Sequence, residues 1–324
     1  MQIQGAASAV RTSRRRDGTS ARRAASRAKG VWRPLLLAGT CAAGMVARAA
    51  GTMITSLELV DISGTISTDQ KFSDAVLVGD GRVVFAPFNA NGVGVFDPTA
   101  PPESSFTLVD ISPQISTARK FWGGALAGDG RVVFAPYAAD GVGVFDPTAS
   151  QSSFTMVPLP SHPLIDVNFK FWGAATAGDG RVVFAPHSAN AAGVFDPTDN
   201  SFKMVPFVSG DPLIGMSNKF SGAATARDGR VVFVPYGANG AGVFDPVDDS
   251  FVFVDISATI DTGVKFAGAT TLGDGRVVFA PHNADSVGVF YLRYLLNLVD
   301  ISTCLLYTSP SPRDLSTSRM PSSA

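Results

Sequence analysis

Five times between Lys71 and Phe290 the chain returns to one phrase: a Lys-Phe pair, then DGRVVF[AV]P, then [VA]GVF. The turn glycines Gly81, Gly130, Gly180, Gly229 and Gly275 lie 49, 50, 49 and 46 residues apart. A period of this length marks a repeat architecture, in which one supersecondary unit cannot bury its apolar face alone and stacks on its neighbours. This constrains the fold far more than the function.

Each unit divides into four short strand-like runs bounded by turn residues. In the second unit these are Phe121–Ala127, Arg131–Ala135, Gly141–Phe145 and Phe154–Val157, here strands A to D. Asp129-Gly130 between A and B suits a type I′ hairpin turn, and Asp146-Pro147 stops strand C because proline cannot donate to a ladder. Strand A is built of small residues (GGALA, GAATA, GAATA and GATTL in units two to five), as expected where strands converge on an axis. Strand B reads Val-Val-Phe throughout, apolar on both faces, which fits a sheet sandwiched between sheets. The expectation is an all-β fold, a β-propeller of four-stranded antiparallel blades. A β-solenoid has shorter coils and no such hairpins.

The pattern resembles the broad NHL/YVTN-like propeller class over about residues 54–303. That resemblance is specific for architecture and weak for activity. Six D-type strands begin near Leu57, Phe106, Phe154, Phe202, Phe251 and Asn297, against five A–B–C cores. Propellers close by pairing an outer strand from one end with a core from the other. The orphan at Leu57–Ile62 therefore predicts a truncated ring, naturally of six to seven blades and monomeric when complete.

The ends differ from the body. Residues 1–52 carry ten basic side chains against Asp17, then an apolar run (Leu35–Ala47) too short to span a bilayer. Two readings stay open. The segment is a leader, making the protein secreted or organellar, or translation starts at Met53 and the protein is cytoplasmic. Residues 53–303 form the propeller. Residues 304–324 (CLLYTSPSPRD through SRMPSSA) resemble translated sequencing-adapter read-through, a non-native tail that includes Cys304. Beyond residue 50 the charge is −10, which argues against nucleic acid as partner.

Most of the repeated motif reads as scaffold. The Arg opening each strand B and the Asp closing each strand C stand side by side, predicting ion pairs Arg82–Asp97, Arg131–Asp146, Arg181–Asp196 and Arg230–Asp245 on the bottom face, with Arg276 unpartnered because Tyr291 replaces Asp. On the top face, formed by the D–A and B–C loops, each strand A is preceded by Lys71, Lys120, Lys170, Lys219 or Lys265. These lysines either attract an anion or serve only loop acids and solvent. The residue after the strand B proline is Phe88, Tyr137, His187, Tyr236 or His282, material for a binding surface. Departures from the repeat cluster around the third unit. The candidate ligand-binding residues are Asp74, Trp122, His162, Lys170, Trp172, His187, Tyr236 and His282. Asp74 is singular in putting a carboxylate where the other A strands have Gly.

No P-loop, dinucleotide fingerprint or G-x-S-x-G elbow occurs, and the three histidines lack metal-ligand spacing. No cofactor, metal or catalytic residue is assigned. The expected function is a non-enzymatic module presenting its top face to a protein, peptide or glycan. The alternative is a propeller lyase or hydrolase with a funnel site using His187, His282 and Asp74.

Overall fold

The computed structural model describes residues 57–149 and 153–292. The readings for residues 1–52, for the outer strand near Asn297 and for the tail at 304–324 lie outside these residues. Each repeat becomes one antiparallel sheet with its strands in chain order. Blade one is β1 (Phe72–Leu77), β2 (Val83–Pro87), β3 (Gly92–Phe96) and β4 (Phe106–Asp110). Blade two is β5 (Phe121–Leu126), β6 (Val132–Pro136), β7 (Gly141–Asp146) and β8 (Ser153–Pro158). Blade three holds β9 (Phe171–Thr176), β10 (Val182–Pro186), β11 (Ala191–Asp196) and β12 (Ser201–Pro206). Blade four holds β13 (Phe220–Thr225), β14 (Val231–Pro235), β15 (Gly240–Asp245) and β16 (Ser250–Asp255). Blade five shows three strands: β17 (Phe266–Thr271), β18 (Val277–Pro281) and β19 (Gly288–Phe290). No helix of the described residues is long and apolar enough to cross a membrane.

Strand B explains how the blades stack. Side chains alternate between sheet faces, so the first Val and the Phe of VVF point one way and the second Val and the following residue the other. Val84 and Ala86 of blade one share a core with Phe121, Val132 and Phe134 of blade two. The same joint recurs between blades two and three, three and four, and four and five. Strand B is fully buried in the middle three blades. Among the described residues, one face at each end of the series lacks a neighbouring blade. Val83 and Phe85 of blade one are half-buried, and Ala280 of blade five is exposed. The inner strands pack in the order β1, β5, β9, β13, β17.

The expected outer strand at Leu57–Ile62 does not pair with a sheet. Val60 and Ile62 lie instead against the open face of blade one, bordering a 220 Å³ cleft with Phe72, Phe85, Phe96 and Phe106. Apolar surface, not a strand edge, is what that face offers them.

Small residues in strand A have a direct cause. A Cβ on Gly123 would stand 2.6 Å from the Gly173 Cα, and one on Gly173 would stand 2.8 Å from the Gly222 Cα. Gly123, Gly173 and Gly268 also take φ of +92°, +89° and +87°, inside bulges where strand A slips its register against strand B. Blade one has Asp74 there. Its bulge is shorter, with Asp74 paired to Ala86, because a side chain does not take that backbone cheaply.

The A–B turns differ from the type I′ expectation. Ala127 O accepts from Gly130 N while Ala127 N donates to Arg131 O, and Gly130 alone has positive φ. The loop is a three-residue turn with a glycine bulge.

The bottom-face ion pairs also differ. Arg82, Arg131, Arg181, Arg230 and Arg276 pair with the Asp of their own turn, Asp80, Asp129, Asp179, Asp228 and Asp274. Asp97, Asp146 and Asp196 instead accept from the backbone and hydroxyl of Thr99, Thr148 and Thr198, and Asp245 accepts from Val247 N. A threonine two residues on is nearer than an arginine on the next strand. Those hydrogen bonds, with the nearby arginine charge, hold the Asp97, Asp146 and Asp196 carboxyls below their ordinary range. The guanidinium then reaches the next blade: Arg82, Arg131 and Arg181 donate to Pro147 O, Pro197 O and Pro246 O at 2.5, 2.6 and 2.8 Å.

Candidate functional site

The lysines before strand A tie blades together from the top. Lys120, Lys219 and Lys265 are fully buried and Lys170 nearly so. Lys120 Nζ reaches Asn89 O and Asn91 Oδ1 of the preceding blade at 3.4 Å. Lys170 reaches Asp140 at 3.3 Å, Lys219 reaches Ser188 O at 3.1 Å, and Lys265 reaches Asn239 at 3.0 Å. Burial lowers the ammonium pKa of Lys120, Lys219 and Lys265, that of Lys219 to about 8. Four of the five cations are thus interior staples and not a charged ring at a funnel mouth.

The lysine backbone positions what lies above. Tyr137 N donates to Lys120 O of its own blade, and Tyr137 O accepts from Lys170 N of the next. His187 and Tyr236 are held in the same two-sided way. Strand A bulges bring Trp122 and Trp172 to the same level, and the rings form a continuous floor across all five blades. Phe88 meets Trp122 at 5.0 Å, Trp122 meets Trp172 at 4.4 Å, Trp172 meets Tyr236 at 5.6 Å, and Tyr236 meets His282 at 5.6 Å. Tyr137 packs on Trp122 at 5.2 Å and stacks on Phe169 at 4.6 Å. Trp122, Trp172 and Tyr236 remain half-exposed, while Phe88 and Tyr137 lie beneath.

Two cavities open on this floor. An axial one of 290 Å³ passes Ser73, Asp74, Trp122, Trp172 and Ser221. A cleft of 400 Å³ between blades one and two is lined by Gln70, Ser73, Phe88, Arg119, Trp122 and Tyr137. Asp74 accepts from Ala75 N at 2.8 Å and from Gly124 N of blade two at 3.1 Å.

His187 is 3% exposed, 4.9 Å from the Trp172 ring, and its Nε2 has no hydrogen-bond partner. Burial pushes its pKa down to about 4, with the Lys219 charge pushing the same way and the Phe169 carbonyl opposing. His282 is exposed, with Nδ1 3.0 Å from Asn283 Oδ1. His162 is exposed in the loop before blade three, where its Nδ1 accepts from Leu164 N.

Of the residues singled out from sequence, Trp122, Trp172, His187, Tyr236 and His282 are joined through ring contacts. Asp74 shares the axial cavity with the two tryptophans. Lys170 lies below the surface, and His162 makes no ring contact with the floor. Arg119, Phe169 and Gln70 were not singled out. Their signal was variation at one fixed position of the repeat, immediately before the lysine, where the units carry Gln70, Arg119, Phe169, Asn218 and Val264. Among the described residues no group of three His, Cys, Asp or Glu is placed to hold a metal ion.

No protein-family model matches the chain, and no curated protein sequence does. Solved structures do. Virginiamycin B lyase from Staphylococcus aureus shares 15% identity over 70% of this chain and 72% of its own, with a TM-score of 0.52. A streptogramin B lyase shares 16% over 68% of each chain, TM-score 0.51. The extracellular domain of a hybrid two-component system, BT4673 of Bacteroides thetaiotaomicron, shares 14% over 74% of this chain and 32% of its own, TM-score 0.55. At such identity the likeness concerns the fold alone: the chain is a β-propeller repeat protein.

Proposed function

We propose that the protein is a non-enzymatic β-propeller binding module of the NHL/YVTN-like class, presenting its top face to a protein, peptide or glycan. The observation that carries this reading is the aromatic floor from Phe88 to His282, half-exposed at Trp122, Trp172 and Tyr236 and flanked by two cavities. Large rigid rings with polar neighbours supply much contact area at little conformational entropy. Nearly everything else repeated in the sequence bonds blade to blade, which leaves the floor as the surface free to recognise something.

The lyase-or-hydrolase alternative asks for His187, His282 and Asp74 in one pocket. Asp74 lines the axial cavity and neither imidazole does, which favours binding over catalysis. The resembling propellers include both lyases and extracellular domains, so the fold is neutral between the two.

The test is tryptophan fluorescence while candidate glycans and peptides are titrated, because two of the three tryptophans are Trp122 and Trp172. A ligand that shifts emission and is lost on Trp172→Ala supports the reading. Turnover of that ligand, abolished by Asp74→Asn, would transfer the case to the alternative.

A further inference from the structure

We infer that the cleft between blades one and two is a subsite for the carboxylate of a uronate-bearing oligosaccharide. This rests on the top-face reading above and narrows it. The scaffold positions of the repeat hardly vary, whereas the position before the strand A lysine differs in every unit. In four of five blades that residue holds a left-handed backbone: φ is 48° at Gln70, 56° at Arg119, 60° at Phe169 and 58° at Asn218. Such a conformation costs about 1 kcal/mol or more for a residue with a side chain. Gln70, Arg119 and Asn218 are exposed there and Phe169 is half-buried, so the constant frame presents a different side chain from each blade.

Two of these residues, Gln70 and Arg119, line the 400 Å³ cleft, a volume in the range of small-ligand sites. Arg119 differs from the turn arginines, each of which pairs with an aspartate. Among the described residues Arg119 has no carboxylate partner. Its guanidinium lies 5.7 Å over the Phe169 ring, which steadies the fork without neutralising it. Trp122, Phe88, Tyr137 and Gln70 line the same cleft, and the Ser73 hydroxyl there is already engaged, donating to Phe121 O at 3.0 Å and accepting from Gly123 N at 3.4 Å.

The three chemistries match one ligand class. The apolar face of a pyranose lies flat on a ring, a hydroxyl meets the Gln70 amide, and its carboxylate takes the guanidinium in a bidentate pair. An acidic peptide offers the carboxylate but no rigid flat face for the floor.

The experiment titrates the full chain with oligogalacturonate and with its methyl ester, following tryptophan emission. The free acid is expected to bind about tenfold or more tightly than the ester, the worth of a charge-assisted hydrogen bond. Arg119→Gln should level the two, Arg119→Lys should keep part of the preference, and Trp122→Ala should weaken both. Gln is the residue blade one carries at this left-handed position, so an unchanged melting temperature is expected for Arg119→Gln. Equal binding of acid and ester by the wild type, or a preference untouched by Arg119→Gln, overturns the inference. Binding of an acidic peptide but of neither sugar, with loss on Trp122→Ala, overturns it and leaves the top-face reading standing. No binding of sugars or peptides overturns both.

Discussion

Acidification should destabilise this protein through His187. The ring is almost fully buried between Trp172 and Tyr137, with Nε2 unbonded and the Lys219 ammonium nearby. Its pKa falls from 6.5 to about 4 on folding. The folded state therefore holds the neutral ring, while the unfolded chain takes up a proton below pH 6.5. Stability is complete above that value and drains as pH falls towards 4. Linkage with these two values gives a loss of about 2 kcal/mol between pH 7 and pH 5. The comparison is urea unfolding of the wild type and His187→Phe at both pH values. Phe is what blade one carries at this position, as Phe88. The aspartates held below their ordinary range titrate in both proteins and cancel in the difference. The wild type should lose about 2 kcal/mol more than the variant. Parallel losses would mean that His187 is hydrated or charged when folded, and the reasoning would be refuted.

Other consequences follow from the blade joints. Gly123→Ala should cost at least about 1–3 kcal/mol by thermal or urea unfolding, because it meets both a φ of +92° and the Gly173 Cα at 2.6 Å. Gly79→Ala, with nothing within 4 Å, should be close to neutral. A double-mutant cycle should give Arg131 and Asp129 a coupling of up to about 1 kcal/mol and Arg131 and Asp146 much less. A larger Asp146 coupling would restore the cross-strand pair. Lys219 has its pKa lowered to about 8, so the folded state favours the neutral amine and stability rises from pH 8 towards 10.5. Unfolding at pH 7 and 10 should show a gain of about 2–3 kcal/mol that Lys219→Met lacks.

Much of the fold was legible because a propeller is written in its repeat. Apolar pairs in strand B, glycines in strand A and DP stops in strand C each report a local demand that the same unit meets five times. What the repeat obscured was partnership across blades. Arg131 and Asp146 are neighbours by strand pairing, yet the bonds go to Asp129 and to Pro197 of the next blade. The lysines read equally well as surface cations, and only the packing of adjacent blades makes them interior staples. The aromatic floor was half visible. Trp122, Trp172 and Tyr236 stand out by composition, whereas Arg119 and Phe169 acquire meaning only from their contacts, the guanidinium 5.7 Å over the Phe169 ring and that ring stacked on Tyr137.

Binding to a glycan and peptide array tests whether recognition belongs to the aromatic floor. The full chain and a Trp122→Ala/Trp172→Ala variant are applied to printed glycans and peptides, beside Asp199→Ala, in the turn between β11 and β12 on the bottom face, as control. Signals are expected in the wild type and the control and should vanish in the double variant while its melting temperature indicates a folded protein. Signals that survive loss of both tryptophans but fall with Asp199→Ala would contradict that assignment.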